Sequence, residues 1–382
     1  MRILSERAKE IRPFIVMDVL ERAAELEQEG KTVIHLEVGE PDFNAPECVS
    51  EAFSQAFTEG RSHYTHSLGD PLLRHELALH YKQEYRVDID PGQIVITSGS
   101  SPALLLALGV LCNPGDEVIL SNPGYACYLN FIRFIDAKAV MVPVYEEDGF
   151  QYRPDHICSR ITERTRAILI NSPMNPTGYL LSDEVMQQIA GFDIPIISDE
   201  IYHGLVYEGK ARSMLEFTRN TFVVNGFSKL YAMTGLRLGY LVIPPEYVRP
   251  VQKLQQNLFI CASSVAQRAG IAALRQAGPE VADMKKVYNQ RRVYMLSRLS
   301  RMGFKIHSNP VGAFYIFVNA RHISDDSFKL AFDILEKVQV GVAPGIDFGT
   351  NGEGYLRFSY ANSLENIKTG MDRLEEYLSA YT

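Results

Sequence analysis

A lysine, an aspartate and two arginines stand where apolar stretches give way to polar residues, and each has a distinct chemical use. Thr221-Phe-Val-Val224 reads as a buried strand running into Asn225-Gly-Phe-Ser-Lys229. An ammonium there is poorly hydrated, so its pKa falls and Lys229 becomes a candidate amine nucleophile, of the kind that forms a Schiff base with a carbonyl. The structural alternative is a strand-end lysine that snorkels to water. Asp199 ends the apolar run Ile194-Pro-Ile-Ile-Ser198. A carboxylate so placed either waits for a cation or caps the backbone that follows. Gly99-Ser100-Ser101 follows the strand-like Gln93-Ile-Val-Ile-Thr97 and opens an apolar helix. Its amides form a site for an anion such as phosphate, with simple capping by Ser101 as the alternative. Ser228, and Arg237 eight residues after the lysine, can add to that cradle. Arg357 lies in the otherwise apolar Tyr355-Leu-Arg-Phe-Ser359, as a bidentate fork for a carboxylate or half of an ion pair.

Pyridoxal phosphate asks its protein for these four things together: an amine, an acid at the ring nitrogen, a phosphate cradle and a cation for the substrate carboxylate. On that reading Lys229, Asp199 and Tyr202 are catalytic. Tyr125 stacks on the ring, although an aromatic by itself is more often core. Asn175 and Tyr202 bond the phenolic oxygen.

The elements that must position these residues alternate in type. Strand-like runs at 93–97, 117–120, 139–142, 166–170, 194–198, 221–224 and 239–243 are separated by helical or turn segments. Such alternation predicts an α/β fold with a mainly parallel sheet covered by helices on both faces, whose ligands collect beyond the carboxyl ends of the strands. The polar motifs all fall there. A helix is expected from Pro13 to Glu29, with Ile15, Val19, Ala23 and Leu26 on one face, and a strand from Thr32 to the Gly39 turn. Asp70-Pro71 opens a helix, Ser182 caps another, and a long charged helix follows Gly278-Pro279. Beyond it, Phe328, Phe332, Leu335 and Val338 define one helix face, and Leu364, Ile367, Met371 and Leu374 another. The expected organisation is a large cofactor-binding domain over 45–285 and a smaller α/β domain from 1–44 and 286–382.

The chain of 382 residues is 46% hydrophobic and carries a net charge of −8, which argues for a folded enzyme and against a nucleic-acid or anionic-membrane partner. No secretory signal or spanning run is visible, and five scattered cysteines read as buried thiols in a reducing compartment, so the expected location is cytoplasmic. Histidines 63, 66, 75 and 80 straddle a loop and a helix without other ligands, so no metal site is expected. No GxGxxG fingerprint supports a dehydrogenase, and nothing precedes Gly39 that could be a DNA-binding domain.

Taken together, Ser-Gly99-Ser-Ser-Pro-Ala-Leu, Asn-Pro-Gly-Tyr125, Asn175-Pro-Thr-Gly, Ser-Asp199-Glu-Ile-Tyr202, Ser228-Lys229 and Gly-Leu-Arg237-Leu-Gly-Tyr resemble the fold-type I pyridoxal phosphate aminotransferases of the aspartate aminotransferase superfamily. Val-Gly39-Glu-Pro-Asp-Phe43 is similar to the family's segment that closes over substrate, making Gly39 a substrate-side residue with Asn175 and Arg357. Tyr64 matches a tyrosine that reaches the cofactor phosphate of the other subunit. The resemblance therefore implies a homodimer with shared sites, using amino acids and 2-oxo acids in a ping-pong reaction. The sequence departs from the family at Gly226, often serine, and offers no second cation near Ser101-Pro102 or Cys261-Ala-Ser-Ser264. That absence points to a neutral or broad, alanine-like donor with 2-oxoglutarate or pyruvate as acceptor. An aspartate aminotransferase and a carbon–sulfur β-lyase on the same fold are the alternatives.

Overall fold

The computed structural model describes residues 4–307 and 309–379. Its centre is a seven-stranded sheet in the order Ile94–Thr97, Gly239–Val242, Thr221–Gly226, Ile196–Asp199, Thr165–Asn171, Glu117–Asn122, Lys138–Pro143. The last five of these run parallel, and Gly239–Val242 is antiparallel to both of its neighbours. The central strands are short apolar runs because helices cover both faces, while the edge strand Lys138–Pro143 stays partly exposed. Ile94–Thr97 and Thr221–Gly226 are buried throughout. Helix Ser100–Leu111 is apolar almost all round and packs beneath the sheet with Leu104, Leu106 and Leu108 buried.

This topology decides where chemistry can occur. Six of the seven strands point the same way, so their carboxyl ends share one edge. Asn122, Asn171, Asp199 and Gly226 end four of them, and Gly99 follows a fifth.

The two ends of the chain meet in a second body of structure. Tyr315–Asn319, Tyr355–Ser359 and Ala343–Pro344 form an antiparallel sheet, and Ile34–His35 pairs in parallel with Val340–Gly341. Helices Gly278–Arg301, Ser327–Val338 and Leu364–Ser379 close a core that includes Tyr288, Met295, Ile334, Ile367 and Met371. Asp70 and Ser182 cap their helices as expected, accepting from the Leu72 and Val185 amides.

Three local expectations need correction. The strand expected from Thr32 shrinks to Ile34–His35: Leu36 still bonds to Gly341 and Ser359, but the Glu37 carbonyl is taken by Arg357. In Ser327–Val338 the buried stripe is Leu330, Ala331, Ile334 and Leu335, while Phe328 is 45% exposed and packs on Phe332 at the surface. The cysteines are not buried: four are half-buried and Cys158 is exposed, all as free thiols.

Candidate active site

A cavity of about 320 Å³ opens at the carboxyl edge of the large sheet. It gathers Gly39, Ser100, Ser101, Tyr125, Asn175, Asp199, Tyr202, Lys229, Arg237 and Arg357 from strand ends and turns far apart in the chain. Lys229 Nζ donates to the Gly39 carbonyl at 2.7 Å. Burial lowers the lysine's pKa to about 8, which makes the amine available near neutral pH. Gly39 must lack a side chain: a Cβ there would sit 2.0 Å from the Tyr315 hydroxyl.

Asp199 is buried, and its Oδ2 accepts from the Tyr128 hydroxyl at 2.7 Å while Oδ1 accepts from the Ile201 amide at 3.1 Å. Burial pushes its carboxyl up to about 6, against the pull of those two bonds. It therefore caps the following turn and also faces the cavity, so the two uses weighed from sequence coexist. Tyr202 Oη lies 2.9 Å from Tyr315 Oη, with its ring edge-on to Phe314 and Tyr315.

Arg357 is 1% exposed and makes no ion pair among the described residues. Its Nη1 donates to Asn175 Oδ1 at 2.9 Å, its Nη2 to the Glu37 carbonyl, and its Nε has no partner. The guanidinium lies 4.3 Å from the Tyr315 ring centroid and 4.9 Å from that of Phe348. A buried guanidinium held by neutral groups alone is unfinished until an anion arrives. Asn175 is in turn fixed by Asn171, whose Oδ1 accepts from the Asn175 amide and whose Nδ2 donates to the Asp199 carbonyl.

At the other wall, Gly99 is the N-cap of helix Ser100–Leu111 at φ +96°, with no side-chain cap, so the first amides face Ser100, Ser101 and Arg237. A Cβ on Gly99 would stand 2.5 Å from Arg237 Nη2, so the glycine is what lets the guanidinium settle on the turn. Arg237 donates to the Thr234 carbonyl and pairs with no carboxylate among the described residues.

Two expected residues lie elsewhere. Ser228 is buried beside the lysine but does not line the cavity. Tyr64 is 80% exposed and lines a separate surface recess with His63 and Arg268. Gly226 also falls outside, and a Cβ there would approach the Leu238 carbonyl to 3.0 Å, tight quarters for a serine.

The structure adds residues that sequence reasoning missed. Tyr128 is one helical turn from Tyr125, a spacing that could have flagged it. Asn171 ends a strand as Asp199 does. Phe14, Val16, Met17 and Leu20 form an apolar lid from the helix Ile15–Gln28, whose first amides are held by the Asp347 carboxylate at 3.1 and 3.2 Å. Glu40 also lines the cavity and accepts from the Thr234 hydroxyl.

Three cations without carboxylate partners, a buried acid with a raised pKa and an open helix N-terminus thus share one cavity. These residues fit pyridoxal phosphate: Arg237 and the helix N-terminus suit its phosphate, Asp199 its ring nitrogen, Lys229 its aldehyde, and Arg357 is left for a substrate carboxylate. Fold and site together define a pyridoxal-phosphate-dependent transaminase.

The comparisons with known proteins agree. The family model for aminotransferase class I and II matches residues 31–374. The chain is 44% identical over 382 residues to the (5-formylfuran-3-yl)methyl phosphate transaminase of Methanocaldococcus jannaschii, covering 99% of this chain and all of that one, 100%. It is 39% identical to an aspartate aminotransferase of Pyrococcus horikoshii, covering 98% of this chain and 97% of the relative. Among solved structures, Thermus thermophilus aspartate aminotransferase with maleate matches at a TM-score of 0.94 and 34% identity, over 98% of this chain and 100% of that chain. A Methanococcus jannaschii structure described as similar in its active site to kynurenine aminotransferases matches at 0.92 and 43% identity, over 98% and 100%. The chain belongs to the class I and II aminotransferases, in the fold-type I superfamily of pyridoxal phosphate enzymes.

Proposed function

We propose that the enzyme takes its amino group from a neutral, alanine-like amino acid and passes it to pyruvate or 2-oxoglutarate in a ping-pong reaction. The observation that carries this is the charge inventory of the cavity. Lys229, Arg237 and Arg357 are each assigned, and the remaining ionisable wall residue on the substrate side, Glu40, is an acid. A distal carboxylate would meet Glu40 and the apolar lid of Phe14, Val16, Met17 and Leu20 instead of a cation. A small neutral side chain meets no such penalty.

Each residue then has a defined task. Arg357 grips the substrate α-carboxylate through paired N–H donors, oriented by Asn175 and the Glu37 carbonyl. Bound pyridoxal phosphate supplies an electron sink that weakens the bonds at the substrate α-carbon. Lys229 Nζ, with a pKa near the working pH, takes the α-proton and later returns one. Asp199, itself held by Tyr128, would keep a proton on the cofactor's ring nitrogen. With the cofactor bound, Tyr202 and Asn175 would hold its phenolic oxygen, Tyr125 would hold its ring, and the lid would exclude water. Ser228, placed behind the lysine, acts through its backbone turn.

The same proposal assigns 45–285 to the large domain and 1–44 with 286–382 to the small one. It also makes the enzyme a cytoplasmic homodimer. Tyr64, uncovered in its own subunit, completes the partner's phosphate site. No helix among the described residues is long and apolar enough to cross a membrane.

A second reading is favoured by the 44% identical relative, whose name specifies a phosphorylated furan aldehyde; that aldehyde is then the physiological acceptor. One survey decides among these. Purified holoenzyme is titrated with single amino acids, following loss of the cofactor's visible band, and each acceptor is then tested for its return. Alanine is expected to discharge the band stoichiometrically, with (5-formylfuran-3-yl)methyl phosphate tested beside pyruvate and 2-oxoglutarate. Aspartate preferred a hundredfold over alanine would overturn the neutral-donor reading, and pyruvate with ammonia accumulating without an acceptor would make the protein a lyase.

A further inference from the structure

A second cavity, about 380 Å³, lies across the same two turns that build the active site. The chain alternates between them. Ile201 and Tyr202 line the active-site cavity, whereas His203 and Gly204 line the second. After the Thr221–Gly226 strand, Asn225, Gly226 and Phe227 line the second cavity, Lys229 the first, and Leu230 and Tyr231 the second again. The partition between the two spaces is therefore one layer of backbone, and it carries the reactive lysine.

The second cavity is built from chemistry that the transaminase site leaves unused. Tyr85, Phe227, Tyr231 and Tyr240 give it an aromatic wall. His203 lies in that wall, 4% exposed, with Nδ1 at 2.8 Å from Tyr85 Oη and 3.4 Å from Glu200 Oε2. Burial drives the imidazole pKa down to about 3, so the ring is neutral. Two charges of opposite sign line the solvent side, the exposed Glu84 and the half-buried Lys285, and neither is in an ion pair among the described residues. An unpaired acid and base over an aromatic chamber suit a ligand with both charges on a short head and a ring behind it. A phosphate would meet Glu84 as well as Lys285, and a hydrocarbon would leave both charges unused.

We propose that this cavity binds a free aromatic amino acid, with its ammonium at Glu84, its carboxylate at Lys285 and its ring among Tyr85, Tyr231 and Tyr240. Such a ligand presses on the turn that carries Lys229, so its binding is felt in the active site. The site is independent of which donor the enzyme uses.

The test is calorimetric titration of L-phenylalanine into borohydride-reduced holoenzyme, in which the lysine can no longer turn over substrate. Glu84→Gln and Lys285→Gln are surface substitutions outside the catalytic machinery, and their turnover of alanine alone should match the parent enzyme. Each is expected to weaken phenylalanine binding tenfold or more. N-acetyl-L-phenylalanine, which lacks the ammonium, should bind the parent weakly and lose nothing further in Glu84→Gln. In active holoenzyme, phenylalanine should change the alanine KM or kcat at least twofold, and the change should vanish in both variants. No saturable binding up to millimolar phenylalanine, or binding indifferent to both substitutions, overturns the proposal. Failure of alanine to react would count against the neutral-donor reading and leave the binding result untouched.

Discussion

Replacing Asp199 by asparagine should stabilise the cofactor-free protein while removing its hold on the cofactor's ring nitrogen. Burial raises the Asp199 carboxyl from 3.8 to about 6. At about 1.36 kcal/mol per pKa unit, that shift corresponds to about 3 kcal/mol. The sign follows from linkage. The native state holds this proton more tightly than the unfolded chain, so ionising Asp199 opposes folding. The opposition grows as pH rises from about 4 to about 6 and is constant above. Asparagine carries no charge, keeps an oxygen for the Ile201 amide and presents its NH₂ to the Tyr128 hydroxyl, so packing is preserved. The variant's advantage is then about 3 kcal/mol at pH 8 and roughly half that at pH 5. With an unfolding entropy of about 2.1 cal/mol/K per residue, the gain at pH 8 is a Tm rise of roughly 4 °C. Scanning calorimetry of both cofactor-free proteins, at equal concentration and at pH 5 and 8, reads it directly. Adding pyridoxal phosphate should reverse the order, because only the parent binds it well. A gap independent of pH, or a variant less stable at pH 8, refutes the assignment of Asp199 as a strained buried acid.

Three further experiments probe the rest of the site. Tyr128→Phe removes a charge-assisted bond worth about 1.5–3 kcal/mol; the pH below which cofactor affinity falls should move up by about 1–2 units, and an unmoved midpoint would show that Tyr128 only packs. Arg357→Lys should raise the donor KM at least tenfold with a smaller effect on kcat, since a point charge cannot reproduce a two-pronged grip; an unchanged KM for every amino acid would remove Arg357 from the substrate site. Mixing Lys229→Ala subunits, which bind cofactor without transaminating, with Tyr64→Ala subunits should restore up to roughly a quarter of parental activity through hybrid dimers carrying one intact site. No recovery on mixing would mean that Tyr64 serves no partner.

What could be read from the sequence was whatever lies contiguous in it. The lysine turn, the Asp199 strand end and the Gly99-Ser100-Ser101 turn each announce themselves within a few residues, because a strand's burial and its abrupt end are local patterns. Arg357 was visible as a charge in an apolar strand, and its unpartnered Nε shows why it is there. Tyr128 was not visible as a partner of Asp199: they are 71 residues apart, and only the stacking of helix Cys127–Phe134 beside the strand end brings the hydroxyl to the carboxylate. The lid escaped for the same reason. The period places Ile15, Val19, Ala23 and Leu26 on one helix face, and nothing in it says that Val16 and Leu20 border a cavity. The apolar spacing that puts Phe328 on a face with Phe332, Leu335 and Val338 does not say which face meets the core, and the smaller Ala331 takes that place.

The pairing of Ile34–His35 with Val340–Gly341 has a consequence for how the enzyme is made in the cell. Gly39, which receives the lysine, leaves the ribosome long before Asp347 and Arg357 do. The chamber cannot close around its cofactor until the later segment has been made and has found the earlier one. Loop-closure entropy over such a span makes that a late step. Cofactor capture therefore waits for the strand Tyr355–Ser359, and a chain cut short before Tyr355 would have a lysine and a phosphate cradle but no means of choosing a substrate.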